Sequence, residues 1–306
     1  MTSEQEFVSQ IQHRFPARSP VKIGIGDDGA VIACNSKEQI VVTDMLLDGR
    51  HFNLHEAQPE LIGRKSLAVN LSDLAAMACW PTAAFVSIAI PVSLPNRDDF
   101  LTRLYDGFEE LTQRYDFSLA GGDTNSWNGP LAINVCLTGT PIGKTPLLRS
   151  GAKEDDLIFV TGSLGGSLNS GRHLSFEPRL KESSWLSRYA NIHALMDVSD
   201  GLGLDLHRMM EASSTGAVID AEQVPISGDV DMSLDQETRF QRALSDGEDF
   251  ELLGTASVGV IERMQRQDGF SSLGLSIIGR VTAQREILVR RGNNETPLSP
   301  SGWQHL

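Results

Sequence analysis

Cysteine is scarce in this chain, positive charge is in deficit and long apolar runs are missing, and each shortage closes a class of explanation. The 306 residues include 3 cysteines, Cys34, Cys79 and Cys136, widely spaced and with no C-x-x-C pair. An odd, scattered set indicates neither a disulfide framework nor a thiolate zinc site, so core thiols are expected. Lys and Arg number 26 against 40 Asp and Glu, a net charge of −14, which opposes nucleic-acid binding driven by phosphate neutralisation. No stretch approaches the roughly 20 apolar residues that span a bilayer. The opening Met1 to Glu6 has neither the basic nor the apolar part of a signal peptide. No nucleic-acid or membrane partner is expected, and the expected location is cytoplasmic. Also missing are G-x-x-x-x-G-K-[ST], H-R-D with D-F-G, H-E-x-x-H and G-x-S-x-G, so P-loop, protein-kinase, zincin and α/β-hydrolase readings lack their central residues.

What is present is a globular composition, 40% hydrophobic and 22% charged, at a length that suggests two domains. The spacing of Leu67, Leu71, Leu74 and Ala78 predicts one amphipathic helix, and that of Phe100, Leu104, Phe108 and Leu111 a second, with Asp98 and Asp99 at its N-terminal end. Strands are expected at Ala30 to Ala33, Ile40 to Thr43, Phe85 to Ile90 and Leu131 to Thr138. The pattern implies an α+β domain with a largely exposed helical layer on one face of a sheet. Pro141, Gly143, Pro146 and Gly151 punctuate the chain next, which places a boundary between an N-terminal domain, 1–143, and a C-terminal domain, 144–306. The second is α+β too, with strands at Leu157 to Thr161, Phe250 to Leu253 and Ile287 to Val289 and an apolar helical face at Leu202, Leu206, Met209 and Met210. Ser175 to Asn191 shows no period and reads as an irregular connection.

Acidic residues cluster beside Gly, Ser or Thr at the ends of apolar runs: Asp27-Asp28, Thr43-Asp44, Ser72-Asp73, Gly122-Asp123, Asp197 to Asp200, and Glu248-Asp249. Turn and N-cap preferences of Asp and Gly account for any one of these, Asp200 before Leu202 included. Together they also suit hard cations, which take oxygen ligands from separate segments and keep waters and phosphates. Asp73 argues for the second reading, because it sits inside the apolar helix from about Lys65 to Cys79, one turn after Asn70, where Asp is unfavourable without a task. Gly24 to Gly29 satisfies G-x-G-x-x-G but carries two carboxylates and leads into a β-like run, so it is not a dinucleotide fingerprint.

Taken in order, Ile25 to Ala30 (IGDDGA), Val42 to Phe52 (VTDMLLDGRHF), Lys65 to Met77 (KSLAVNLSDLAAM), Ala120 to Thr124 (AGGDT), Leu148 to Ala152 (LRSGA), Asp197 to Leu202 (DVSDGL) and Ser245 to Leu253 (SDGEDFELL) resemble the thiamine-monophosphate kinase family. That family shares an ATP-binding superfamily with aminoimidazole ribonucleotide synthetase, selenophosphate synthetase and a hydrogenase maturation factor. The resemblance implies a two-domain α+β fold: an N-terminal ATP-, metal-binding and dimerisation domain whose sheet pairs across a homodimer into a β-barrel, and a sandwich-like C-terminal α/β domain completing the site. It implies transfer of phosphate from ATP to thiamine monophosphate, with several Mg²⁺ ions. Metal ligands would be Asp28, Thr43, Asp44, Asp73, Asp123, Asp197 and Asp200; ATP contacts Tyr105, Gly122, Asp123, Arg149 and Ser199; substrate contacts His51, Glu248 and Trp303. Asp73, Asp123, Asp200 and Arg149 would carry the catalysis.

The chemistry is consistent with this set. The acceptor is a phosphate oxyanion that needs no general base, so the task is to bring two polyanions into line. At about 4 Å two unit charges repel by about 4 kcal/mol at an effective dielectric of 20, which cations and one Arg can offset. Three features depart from the family pattern: Val42 where Ser or Thr is usual, Asp246 where Gly is frequent, and a shortened 165–193 connection carrying His173-Leu174 and Pro178-Arg179. The rivals are a kinase or synthase of the same superfamily acting on another small phosphate ester, and a catalytically silent nucleotide-binding relative. Selenophosphate synthetase and the maturation factor are disfavoured, since the first 33 residues and the C-terminal end carry no cysteine.

Overall fold

The computed structural model describes residues 10–25, 30–34, 38–188 and 191–303. The chain divides into two units: Met1–Leu74 with Trp80–Pro141, and Ala75–Cys79 with Ile142–Leu306. Both mix helices with sheet, so the α+β expectation holds.

In the first unit a short ribbon pairs β1 (Val21–Ile23) with β2 (Val31–Ile32). The main sheet holds β3 (Ile40–Leu47), β4 (Cys79–Pro91), β5 (Ser118–Trp127) and β6 (Ala132–Pro141) in the order β3-β6-β4-β5. β3 runs antiparallel to β6, with Thr43 opposite Cys136, and β4 runs parallel to β5, with Val86 opposite Gly122. Two helices accompany it, α1 (Pro59–Ala76) and α2 (Arg97–Arg114), and α2 packs on β5. As expected, α2 opens with Asp98 and Asp99 and closes with Arg114, charges that suit its macrodipole. The two helices touch backbone to backbone. A Cβ on Gly63 would lie 2.0 Å from the Leu104 carbonyl oxygen, and one on Gly107 2.0 Å from that of Glu60.

The exposed helical layer holds for α2, where Asp98, Thr102, Asp106 and Gln113 are exposed, but not for α1. α1 is buried on nearly every side, with Lys65, Ser66 and Asn70 all at 0% exposure. Its polar groups turn inward to local partners: Lys65 Nζ donates to the His51 carbonyl at 2.6 Å, Ser66 Oγ to Ile62 at 2.8 Å and Asn70 Nδ2 to Ser66 at 3.2 Å. Such pairing removes most of the desolvation penalty that otherwise keeps polar residues on an outer face. The thiols are also not all internal, since only Cys79 is buried while Cys34 is exposed. Burial pushes the Cys79 thiol up to about 12.

The second unit is built on seven strands, β7 (Leu157–Val160), β8 (Ile192–Val198), β9 (Gly216–Asp220), β10 (Glu251–Ala256), β11 (Ser276–Thr282), β12 (Ile287–Arg291) and β13 (Asn294–Pro297). Their order is β13-β12-β9-β11-β7-β10-β8, and β12 runs parallel to β9. α3 (Ser167–Ser170) and α4 (Arg172–Ser175) follow β7, and the stretch from Ser175 to Asn191 is not wholly irregular, because it contains α5 (Leu180–Leu186). Further on come α6 (Leu202–Ser213), α7 (Gln236–Ser245) and α8 (Val258–Gln265). Leu202, Leu206, Met209 and Met210 of α6 join Ile158, Met196, Phe240 and Leu253 in one core. That helix is therefore fastened to β8, and the turn between them is fixed at both ends.

Candidate active site

Each unit presents its own group of the expected residues. In the first, Thr43 and Asp44 are neighbours on β3, so their side chains take opposite faces, Thr43 exposed and Asp44 half-buried. Asn134 on the next strand ties the pair together, its Nδ2 donating to Thr43 Oγ1 and to the Asp44 carbonyl, each at 3.1 Å. Asp73 lies within α1, half-buried, one turn after the buried Asn70. Asn70 Oδ1 has no hydrogen-bond partner among the described residues.

Gly121 to Thr124 is not the loop that its glycines suggest. It is the middle of β5, where a Cβ on Gly122 would stand 2.0 Å from the Val86 carbonyl oxygen. Asp123 is exposed there and accepts from Asn125 Nδ2 at 2.9 Å. Tyr105 reaches the same strand from α2. It is buried, its hydroxyl is bonded to Thr124, and burial outweighs that bond and pushes its pKa up to about 12. His51 follows β3 in a turn where its Nδ1 accepts from the Leu47 N–H at 3.0 Å, which leaves the ring proton of the neutral form on Nε2. Asp28 lies outside the described residues.

In the second unit three distant segments meet. Asp197 ends β8, and Ser199, Asp200 and Gly201 turn the chain into α6. The Ser199 carbonyl accepts from the Glu248 N–H at 2.7 Å, and the Asp200 carbonyl from the Trp303 N–H at 2.9 Å. Expected residues 197, 199, 200, 248 and 303 therefore share one neighbourhood. Arg149 is exposed, with no ion pair among the described residues, on a stretch sewn to the same elements. Its neighbour Leu148 accepts from Leu195 N–H on β8 at 2.9 Å, and Ser213 Oγ at the end of α6 accepts from Gly151 and Ala152, each at 3.1 Å.

Asp200 is not the N-cap of α6. That place is held by Gly201 at φ 111°, with no side-chain capping bond, and a Cβ there would lie 2.7 Å from the Leu244 carbonyl oxygen. The turn is held from within the helix instead. Asp205 Oδ2 accepts from Ser199 N–H at 3.1 Å and Asp200 N–H at 3.0 Å, and Oδ1 from Arg208 at 2.8 Å. Arg208 also pairs with Asp200. Burial first, then repulsion from Asp197, drives the Asp205 carboxyl up to about 7.

Asp205, Arg208, Lys65 and Asn134 were not among the residues singled out from sequence. Asp205 stands in the first turn of α6, where an acidic side chain is ordinary, so nothing in the sequence marked it. The other three form ordinary polar positions until the partner strand or turn is in place.

The chain matches the family model for the AIR synthase related protein N-terminal domain over residues 26–144 and that for the C-terminal domain over 153–290. It is 42% identical over 260 residues to a thiamine-monophosphate kinase of Rhodopirellula baltica, covering 82% of this chain and 81% of that one. This chain belongs to the thiamine-monophosphate kinase family. The Bacillus subtilis thiamine-monophosphate kinase is 33% identical over 99% of both chains. Among solved structures, AaThiL complexed with AMPPCP and TMP superposes with a TM-score of 0.76 at 28% identity, over 99% of this chain and 97% of that one. The resemblance carried by the seven sequence blocks thus holds, and the thiamine-monophosphate kinase family membership spans both units.

The donors present in this family member suit Mg²⁺. They are all oxygen, and in the second unit Asp197 and Asp200 both repel the Asp205 carboxylate, with Arg208 pairing Asp200 and Asp205, a concentration of negative charge that a divalent ion would offset. No three acidic, His or Cys side chains among the described residues already form a cage. Among the described residues no helix is long and apolar enough to cross a membrane.

Proposed function

We propose that this protein transfers the γ-phosphoryl group of ATP to the phosphate of thiamine monophosphate, giving ADP and thiamine diphosphate. The observation that carries this reading is the convergence of Glu248 and Trp303 on the Ser199-Asp200 turn, in a chain whose family is thiamine-monophosphate kinase.

Asp44, Asp73, Asp123 and the Thr43 carbonyl in one unit, Asp197 and Asp200 in the other, and Asp28 hold Mg²⁺ in this reading. When bound, Mg²⁺ supplies charge neutralisation and alignment for the two phosphate chains. Gly122, Asp123 and Ser199 contact ATP, with Tyr105 supporting that side through Thr124. Arg149, exposed and free of any ion pair among the described residues, places a guanidinium on the transferring phosphate, where bidentate geometry stabilises charge that spreads over its oxygens. His51, Glu248 and Trp303 hold the acceptor. The acceptor oxygen attacks already deprotonated, so no side chain has to remove a proton.

The protein works as a homodimer. Val41 and Met45, 61% and 57% exposed, stand on one face of β3, an edge strand of an open sheet, with Thr43 between them. A second copy that joins this sheet into a barrel would cover that face and the edge together. Met45→Lys is expected to convert a dimer to a monomer in analytical ultracentrifugation, and a monomeric unsubstituted protein would remove this part of the reading.

The reaction is tested by ADP release with ATP and Mg²⁺ in the presence of thiamine monophosphate, thiamine, or no acceptor, with the product identified by mass. ADP formed only with the monophosphate, together with thiamine diphosphate, is the expected result. ATP binding without turnover on thiamine monophosphate would leave the fold in place and overturn the acceptor.

A further inference from the structure

Residues 172–179, in the connection left without a role above, face residues 248–251 side chain by side chain. Arg172 Nη2 donates to Asp249 Oδ1 at 2.9 Å, and His173 Nδ1 lies 3.2 Å from Glu248 Oε2. The Phe176 ring stacks on Phe250 with centroids 4.1 Å apart and planes at 16°. Arg179 Nε donates to Glu251 Oε2 at 2.7 Å. The segment they grip is held in a costly shape, since Glu248 and Phe250 have φ of 57° and 53°, the left-handed region that non-glycine residues avoid.

The contacts on Asp249, Phe250 and Glu251 are those of packing. Asp249 also accepts from Gly165 N–H at 2.9 Å, Glu251 also accepts from Thr161 Oγ1 at 2.7 Å, and the side chains of these two acids are 0% and 3% exposed. Glu248 differs. Its side chain remains 19% exposed, so it is steered by His173 and still open to a ligand. A carboxylate needed only for packing would be shut in as its two acidic neighbours are.

We infer that residues 172–179 form a strap that presents the Glu248 carboxylate to the acceptor, with His173 as its positioning residue and a determinant of acceptor recognition. This rests on the reading that Glu248 contacts thiamine monophosphate, whose cationic ring and amino group are what a fixed carboxylate recognises. Fixing one rotamer in advance lowers the ordering cost of binding, so the strap acts on acceptor affinity and leaves the ATP side untouched.

The test compares His173→Ala, His173→Asn, Glu248→Gln and the double variant H173A/E248Q, measuring KM for each substrate, kcat, and direct calorimetric binding of thiamine monophosphate. H173A is expected to raise the KM for thiamine monophosphate about tenfold, with the KM for ATP and kcat within about twofold. H173N, which keeps a donor at the Nδ1 position, should recover most of that loss, and it carries the test through calorimetry if H173A does not fold. The double variant should be no worse than E248Q alone, because the two residues act as one unit. If E248Q raises the acceptor KM but H173A and H173N do not differ from the unsubstituted protein, the strap is overturned while the acceptor reading stands. If E248Q leaves the acceptor KM unchanged, both fall. Additive losses in H173A/E248Q would also overturn the positioning role.

Discussion

The two units carry their expected site residues in different ways. In the first, they sit on regular structure: Thr43 and Asp44 on β3, Asp73 on α1, Gly122 and Asp123 on β5. In the second, Asp197 lies on β8 but Ser199, Asp200 and Glu248 sit on turns, beside glycines with φ of 111° (Gly201) and 69° (Gly247) and at a strained Glu248. A strand or helix fixes side-chain direction through its own backbone hydrogen bonds. A turn has too few of these, so it borrows rigidity from side chains, here Asp205 under Ser199 and Asp200, and Asp249 and Asp246 on the Gly165 and Gly166 N–H groups. The lesson is that regular backbone orients most of the first unit's residues, with the Asn134 and Lys65 side chains added at Thr43 and His51, whereas the turns of the second unit rest on titratable carboxylates.

That contrast can be broken experimentally, and the largest effect is expected at Asp73. Asp73→Asn keeps the shape of a half-buried helical side chain but weakens an oxygen donor. Its kcat should fall by about 10³, on the scale seen when one stabilising group of a transition state is removed, with an unchanged circular dichroism spectrum and oligomeric state. Near-normal turnover in D73N would take Asp73 out of the metal set.

Gly122→Ala comes next. A Cβ placed 2.0 Å from the Val86 carbonyl forces β4 and β5 apart, which should destabilise the protein by about 3 kcal/mol in urea unfolding. A loss below about 1 kcal/mol would mean that β5 yields as a loop would, erasing the difference between the units.

Asp249 tests the titratable support of the second unit. Burial raises its carboxyl from 3.8 to about 7, against the pull of the Gly165 N–H and Arg172. An acid whose pKa is higher in the folded than in the unfolded chain favours folding fully below its unfolded value, and that contribution is lost as pH rises through its folded value. Between about pH 4 and 7 the unsubstituted protein should therefore lose stability relative to Asp249→Asn, by at most about 1.4 kcal/mol per pH unit for one proton. Parallel stability curves for the two proteins across that range would deny Asp249 this role.

The smallest effect is expected at Trp303, 41% exposed, whose backbone N–H is held by the Asp200 carbonyl. Trp303→Ala should weaken thiamine-monophosphate binding about tenfold and ATP binding much less, the loss of one stacked or packed face. Equal weakening of both ligands in calorimetry would mark the Trp as structural.

Sequence reasoning reached the second helix, most strands and the acidic blocks because these leave local marks: 3.6-residue periodicity in α2, alternation in β3, carboxylates beside small residues. It missed β5 as a strand because Gly121, Gly122 and four polar residues after them have poor strand propensity. Only pairing with β4, where Gly122 lets the backbones close, makes that stretch extended. It placed α1 in an exposed layer because the inward partners of Lys65, Ser66 and Asn70, namely His51, Ile62 and Ser66, are invisible until the helix is packed. The Asp200 N-cap failed because Gly201 takes the cap position and the Asp200 carboxylate pairs with Arg208, a partner further along α6 that the sequence does not mark.

Asp246 is instructive in the same way. As a departure from the family pattern it adds charge beside Glu248, yet its Oδ2 accepts from the Gly166 N–H at 2.9 Å and its Oδ1 from Arg242 at 3.3 Å. The added charge is tied into the α3 turn and α7.

By itself, then, the sequence determined the class of the fold, the family, and the acids that mark the chemistry, because local periodicity and ordered short motifs survive in one dimension. The tertiary structure alone decided which supports those acids receive: a buried lysine under His51, an aspartate beneath Ser199 and Asp200, a histidine against Glu248. These contacts join residues tens of positions apart or across a turn, and the penalty for burying a polar group, which selects its partner, exists only once the chain has closed around it.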